Sequence, residues 1–202
     1  MSRERSGAAY RQRSGMPPRP VRRLLTYARV MGREMQVSDA VVIPGVTPAE
    51  AYAQVSDPTQ MARWSPENTG ARVERGTAGS LTVGDVFVGA NKRGGTRWQT
   101  RCRVVAADPG ERFAFDVVGW GPRSPLLRVA IARWEYTFEA VGDGTKVTET
   151  WRDARRRWPD GLANAVDSRL TGGRTFASFQ ERNIARTLAA LRDDLGRLPS
   201  QS

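Results

Sequence analysis

The stretch from Gly84 to Asp153 is a succession of alternating apolar and polar segments cut by turns too short to hold a helix. Gly94-Gly95, Pro109-Gly110 and Gly142-Asp143-Gly144 are the cuts, with a longer glycine- and proline-rich break, GWGPRSP, at 119–125. Parallel strands need crossovers of a dozen residues or more, so strands joined this closely must run antiparallel. VSDAVVIPG at 37–45 and ARVERGT at 71–77 read as two further strands, which brings the sheet to about seven.

Three helical signals flank these strands. In TPAEAYAQVSD, Thr47 is placed as an N-cap, Pro48 as the first helical residue, and Glu50 completes a capping box. DPTQMARWS repeats the device with Asp57 and Pro58, so two short helices follow the first strand. A short helix running through Leu170 is expected after the irregular ARRRWPDG. From 174 to 197, Phe176, Phe179, Asn183, Ile184, Thr187, Leu188, Leu191 and Leu195 recur at steps of three and four, which predicts an amphipathic helix of about six turns, ended by Leu198-Pro199. An antiparallel sheet with one wet face must bury the other, and only this last helix is long enough to cover it. The class is α+β, a curved sheet wrapped around the C-terminal helix with a cavity between them.

Alternation then decides which side chains face that cavity. In WQTRCRVV the set Gln99, Arg101, Arg103 requires water, which turns Trp98, Thr100, Cys102 and Val104 inward. A two-residue turn at Gly94-Gly95 sets 93 opposite 96, 91 opposite 98, 89 opposite 100 and 87 opposite 102. Directly opposed residues share a face, so Asn91, Gly89 and Phe87 point inward as well. The same rule places Phe113, Phe115 and Val117 inside, with Trp134, Tyr136 and Phe138 on one later strand and Val147, Glu149 and Trp151 on the next. Asn183 and Thr187 lie on or beside the helix face that carries Phe176 and Phe179.

The candidate cavity set is therefore Phe87, Asn91, Trp98, Thr100, Phe113, Phe115, Trp134, Tyr136, Glu149, Trp151, Phe176, Phe179 and Asn183. Apolar walls with a few orienting polar groups are the composition of a ligand pocket, and equally that of a core. Asn91 beside Trp98 either meets a ligand or ties down its hairpin. Burial would raise the pKa of Glu149, and with Tyr136 nearby the two are the candidate catalytic pair for protonating or orienting a carbonyl. The competing readings of Glu149 are a pairing with a buried arginine and a position at an open cavity mouth. Arg155, Arg156 and Arg157 are read as solvated surface, Trp64 as a plug between the short helices and the sheet, and Cys102 as a small hydrophobe.

Composition removes whole classes of chemistry. The chain has no histidine, one cysteine and two lysines, Lys92 and Lys146. No histidine-based triad, disulfide or ordinary zinc site can be built from it, so the expectation is no metal and no cofactor. The net charge of +11 is unevenly spread: residues 1–36 carry nine arginines and two glutamates, and the rest carries 23 basic against 19 acidic residues. The first 36 residues are read as a basic, largely disordered extension, with a possible amphipathic turn or two over 21–33, or as the product of a start codon upstream of Met31 or Met35. Such an arm would give at most a weak contact with nucleic acid or an anionic membrane. No apolar run approaches a membrane span and no secretory leader pattern opens the chain, so a cytoplasmic protein is expected.

DPTQMARWSPE at 57–67, GDVFVGANKRGGTRWQTRCRVV at 84–105, ARWEYTFEAVGDGTKVTETW at 132–151 and RNIARTLAALRDDL at 182–195 occur in this order. Together they resemble the polyketide cyclase/dehydrase and lipid-transport group of the START-like (SRPBCC) superfamily, from about Val37 to Arg197. The resemblance implies a helix-grip domain over 37–198 and binding of a small hydrophobic ligand, lipid, steroid-like or polyketide-like, in the internal cavity. The alternative it implies is a cofactor-independent cyclase/aromatase or dehydrase. The basic extension and the arginine run at 155–157 fall outside the family pattern.

Overall fold

A computed structural model describes residues 29–30, 33–156, 158–171 and 175–197. Its first elements are two-residue strands, β1 (Arg29–Val30) and β2 (Arg33–Glu34), paired antiparallel. The described part of 21–33 is thus strand and not the helical turn expected there. The extension before residue 29, and with it the reading of disorder and of a nucleic-acid or membrane arm, lies outside the described residues.

The body is a seven-stranded antiparallel sheet. Its strands are β3 (Gln36–Pro44), β4 (Asn68–Arg75), β5 (Val86–Arg93), β6 (Thr96–Asp108), β7 (Arg112–Gly121), β8 (Leu127–Val141) and β9 (Gly144–Asp153). The spatial order is β3-β9-β8-β7-β6-β5-β4, so β4 to β9 form a meander and β3 is added at the far edge beside the last strand. The β5–β6 register has Arg93 opposite Thr96, Asn91 opposite Trp98, Gly89 opposite Thr100 and Phe87 opposite Cys102, as the turn arithmetic requires. Gly94 takes φ +56°, which the first position of so tight a turn demands and which a side chain would resist. β7 runs through Gly121, beyond the FAFDVV expected, so part of the glycine-rich break is strand.

Between β3 and β4 lie helix α1 (Pro48–Val55) and a 3-10 helix (Pro58–Arg63). Both start as the sequence dictates. The Thr47 hydroxyl accepts from the Glu50 amide, the Glu50 carboxylate accepts from the Thr47 amide, and Asp57 accepts from the Thr59 amide. Helix α2 (Asp160–Thr171) precedes α3 (Phe176–Leu195), which Thr175 caps. Helix α3 ends at Leu195 with Gly196 as its cap, ahead of the Leu198-Pro199 expected to stop it. Its apolar stripe, Ile184, Leu188, Leu191 and Leu195, is buried against the concave face of the sheet. This is the helix-grip arrangement. Arg63 bonds Asp194 at 2.7 Å, which ties the 3-10 helix to the C-terminal half of α3. That half of the interior is solid: Tyr52 of α1 meets Phe113 and Phe138 edge-on, at 6.4 and 5.7 Å.

Candidate functional site: a cavity between the sheet and the last helix

The other half of the interior is hollow. A cavity of about 760 Å³ lies between the concave face and the N-terminal half of α3. Eleven of the thirteen expected residues line it: Phe87, Asn91, Trp98, Thr100, Phe115, Trp134, Tyr136, Glu149, Trp151, Phe176 and Asn183. Phe113 and Phe179 do not. Phe113 faces inward with no exposure, but alternation fixes the face and not the position along the strand. It sits at the end filled by α1, under Tyr52. Phe179 lies three residues, or about 300°, from Phe176 and is turned off the cavity. The Arg93 guanidinium covers its ring at 3.9 Å. The fourth residue after Phe176, Gln180, takes the cavity position instead, giving the series Phe176, Gln180, Asn183, Thr187 along one helix face. Gln180 is absent from the sequence-derived set, although its step of four from Phe176 carries the signal.

The aromatic walls are packed among themselves. Phe87 and Phe115 meet edge-on at 5.1 Å, and Trp151 stacks on Phe176 at 6.4 Å with the rings 12° apart. Trp64 is buried as a plug but also forms part of the wall. Trp120 lines the cavity because β7 continues into the stretch read as loop. Asn91 donates to Gly89 O at 3.2 Å and to Thr100 Oγ1 at 3.3 Å, so its amide holds β5 to β6. Across the hairpin, Arg93 lies 5.4 Å from the Trp98 ring and pairs with Glu67.

Two carboxyl groups line the cavity: Glu67, which Arg93 pairs, and the fully buried Glu149. Glu149 is buried on β9, opposite Tyr136 of β8 and Asp39 of β3. The Tyr136 hydroxyl donates to Glu149 Oε1 at 2.7 Å. Glu149 Oε2 is buried with no hydrogen-bond partner. Burial pushes the carboxyl up to about 8; the Tyr136 bond opposes this and the Asp39 charge adds to it. The Tyr136 hydroxyl is raised well above its ordinary value by burial, and by the charge and hydrogen bond of Glu149. Glu149 therefore neither pairs with an arginine nor stands at an open mouth. Near neutrality it is a neutral acid, whose proton sits on a group that can donate to an oxygen placed in the cavity. Cys102 is buried, and burial pushes its thiol up to about 12, which leaves it inert.

The arginine run divides: Arg156 is exposed as expected, Arg157 lies outside the described residues, and Arg155 departs from the expectation. Arg155 is buried, not solvated. Its guanidinium bonds Asp153 at 2.7 and 3.0 Å and Asp167 at 2.6 and 3.3 Å, and lies 4.9 Å from the Phe176 ring. Burial works against the charge, but the hydrogen bonds and charges of Asp153 and Asp167 outweigh it and raise the pKa. Asp167 also accepts from the Phe176 amide at 3.3 Å. The network ties the end of β9, helix α2 and the start of α3 together beside the cavity. Asp153 lies two residues before Arg155 in the sequence, but Asp167, twelve residues on, becomes its neighbour only through the fold. Among the described residues, no group of three or more His, Cys, Asp or Glu side chains is placed to hold a metal.

A curved sheet gripping a terminal helix around a partly hollow interior defines the class of the protein. A model of the polyketide cyclase/dehydrase and lipid-transport family matches residues 34–196, and the chain belongs to that family. Solved structures share the fold at low identity. A protein of Nitrosomonas europaea is 13% identical with a TM-score of 0.56, over 80% of this chain and 94% of its own. A protein of Mycobacterium smegmatis is 14% identical with a TM-score of 0.55, over 82% and 93%. The major latex-like protein 151 of Panax ginseng is 15% identical with a TM-score of 0.51, over 81% and 97%. No curated protein matches the sequence.

Proposed function

We propose that the protein binds a small, largely apolar molecule bearing a hydrogen-bond-accepting oxygen in the cavity between sheet and α3. The observation that carries this reading is the pairing of a 760 Å³ aromatic-walled space with one buried acid whose Oε2 lacks a partner. A buried polar atom costs about 1–3 kcal/mol unless something bonds it, and a ligand carbonyl, ester or hydroxyl would remove that cost. Membership of a family described by lipid transport is consistent with such cargo. Lipid, steroid-like and polyketide-like molecules all meet the requirement. Mass spectrometry of the native protein and of its organic extract should reveal a bound apolar species. An empty protein that also fails to take up an apolar dye would end this reading.

The second reading is catalysis, as a cyclase/aromatase or dehydrase, favoured by the elevated pKa of Glu149. A neutral acid at Glu149 would donate its proton to a carbonyl oxygen or to a departing hydroxyl, with Tyr136 holding the carboxyl in place. The cavity would exclude water and hold a flexible substrate in reactive geometry. Glu149→Gln and Tyr136→Phe that leave turnover of a demonstrated substrate unchanged would remove these roles.

A further inference from the structure

The cavity approaches the surface at one end of the sheet. The β5–β6 turn, the β7–β8 loop at 122–126 and the end of β9 all lie at that end, as the antiparallel registers require. Its outer residues are unlike the rest of the surface. Leu126 is 82% exposed and Leu127, which also lines the cavity, is 60% exposed. Leu126 at the end of the loop and Leu127 at the start of β8 are adjacent, exposed and apolar, with no covering partner among the described residues. Arginines bracket them. From Val117 to Trp134 the charged residues are Arg123, Arg128 and Arg133, with no acid except Asp116 just before and Glu135 just after. Arg123 and Arg128 are exposed and outside every ion pair of the described residues. At the neighbouring hairpin, Lys92 stands directly opposite Arg97, both exposed. Like charges in register repel, so folding gains nothing from this pair.

We propose that this end of the molecule docks on an anionic lipid surface, with Leu126 and Leu127 entering the interface and Arg123, Arg128 and the Lys92–Arg97 pair facing lipid phosphates. Apolar tips within a basic ring are the composition that partitions into a negatively charged leaflet. Docking there would set the cavity opening against the bilayer, so that an apolar molecule could pass between them without crossing water. The inference concerns the surface and stands whether or not a ligand is carried.

The test uses the full chain, so that any contribution from residues 1–28 is common to every variant. An environment-sensitive fluorophore is attached to Leu126→Cys, and to Val141→Cys as a control, with buried Cys102 protected from labelling. Val141 is exposed at the far end of β8, about 45 Å from Leu127 at strand rise. With phosphatidylcholine–phosphatidylglycerol vesicles, the probe at 126 should shift to the blue and the probe at 141 should not. In co-sedimentation, Leu126→Ser with Leu127→Ser should bind at least about tenfold more weakly than the parent. Because both leucines are exposed, the double variant should keep its far-ultraviolet spectrum and melting temperature. Absence of vesicle binding overturns the proposal. Binding that the double substitution leaves intact also overturns it, and assigns the contact to the N-terminal arm or another face. Self-association lost in the double variant, without vesicle binding, overturns it in favour of a second copy.

Discussion

The Tyr136 hydroxyl lies 2.7 Å from Glu149 Oε1, and the second oxygen of that carboxyl has no partner. The pair couples stability to pH in a defined direction. A folded-state pKa of about 8, against an ordinary value of 4.5, means that the folded protein binds the extra proton between those limits. Stability is then full below about pH 4.5 and falls as pH rises towards 8, by up to about 1.4 kcal/mol per pH unit. With no histidine in the chain, this window is otherwise nearly silent. Urea unfolding at pH 5, 6.5 and 8 should show the decline in the parent and a nearly flat profile in Glu149→Gln. A flat parent profile would refute the assignment.

Tyr136→Phe removes the one hydrogen bond that lowers the Glu149 pKa. The decline in stability should therefore extend to higher pH than in the parent, with an additional loss of about 1–3 kcal/mol from the unpaired Oε1. An unchanged or lowered titration midpoint would mean that the hydroxyl does not act on the carboxyl.

Arg155→Ala leaves Asp153 and Asp167 buried without their shared cation. Breaking a buried pair from one side costs about 3–5 kcal/mol, and equilibrium unfolding should report a loss of that size. A solvated arginine would cost less than 1 kcal/mol, so the measurement separates the two placements.

Two phenylalanines one alternation apart make a further test. Phe113→Ala opens a void in the solid half of the core and should cost about 3–5 kcal/mol while leaving the affinity for an apolar dye unchanged. Phe115→Ala widens a cavity that already exists and should cost less stability while changing dye affinity. Equal effects on dye binding would contradict the division of the interior.

Filling the space from the helix side is the complementary experiment. Asn183 lies half-buried on the cavity wall of α3, and Asn183→Trp should weaken dye or ligand binding by about tenfold or more while retaining the fold. Undiminished binding would place the bound molecule elsewhere.

These tests separate what local pattern dictates from what only assembly creates. Strand alternation and one turn length were enough to bring Asn91 opposite Trp98, and Tyr136 and Glu149 onto one buried face, because a two-residue period leaves a side chain only two choices. The position of Phe113 was not legible, since the face of a strand does not say which helix covers that stretch of it. On the last helix phase decides: three residues from Phe176 turn Phe179 off the cavity, and four bring Gln180 onto it. Arg155 was only half legible: Asp153 stands two residues before it, but Asp167 is twelve residues on, in helix α2, and reaches it only through the fold.

The sheet is open: β3 and β4 stand at opposite edges and are not paired with each other. Near β4 the interior is closed by side chains, including Arg63 on Asp194 and Arg93 over Phe179. Unlike a closed barrel, such a container can widen along that seam by rotamer changes, leaving every ladder of backbone hydrogen bonds intact. On the binding proposed above, guests differing by several carbon atoms would then share one fold without a change of strand register.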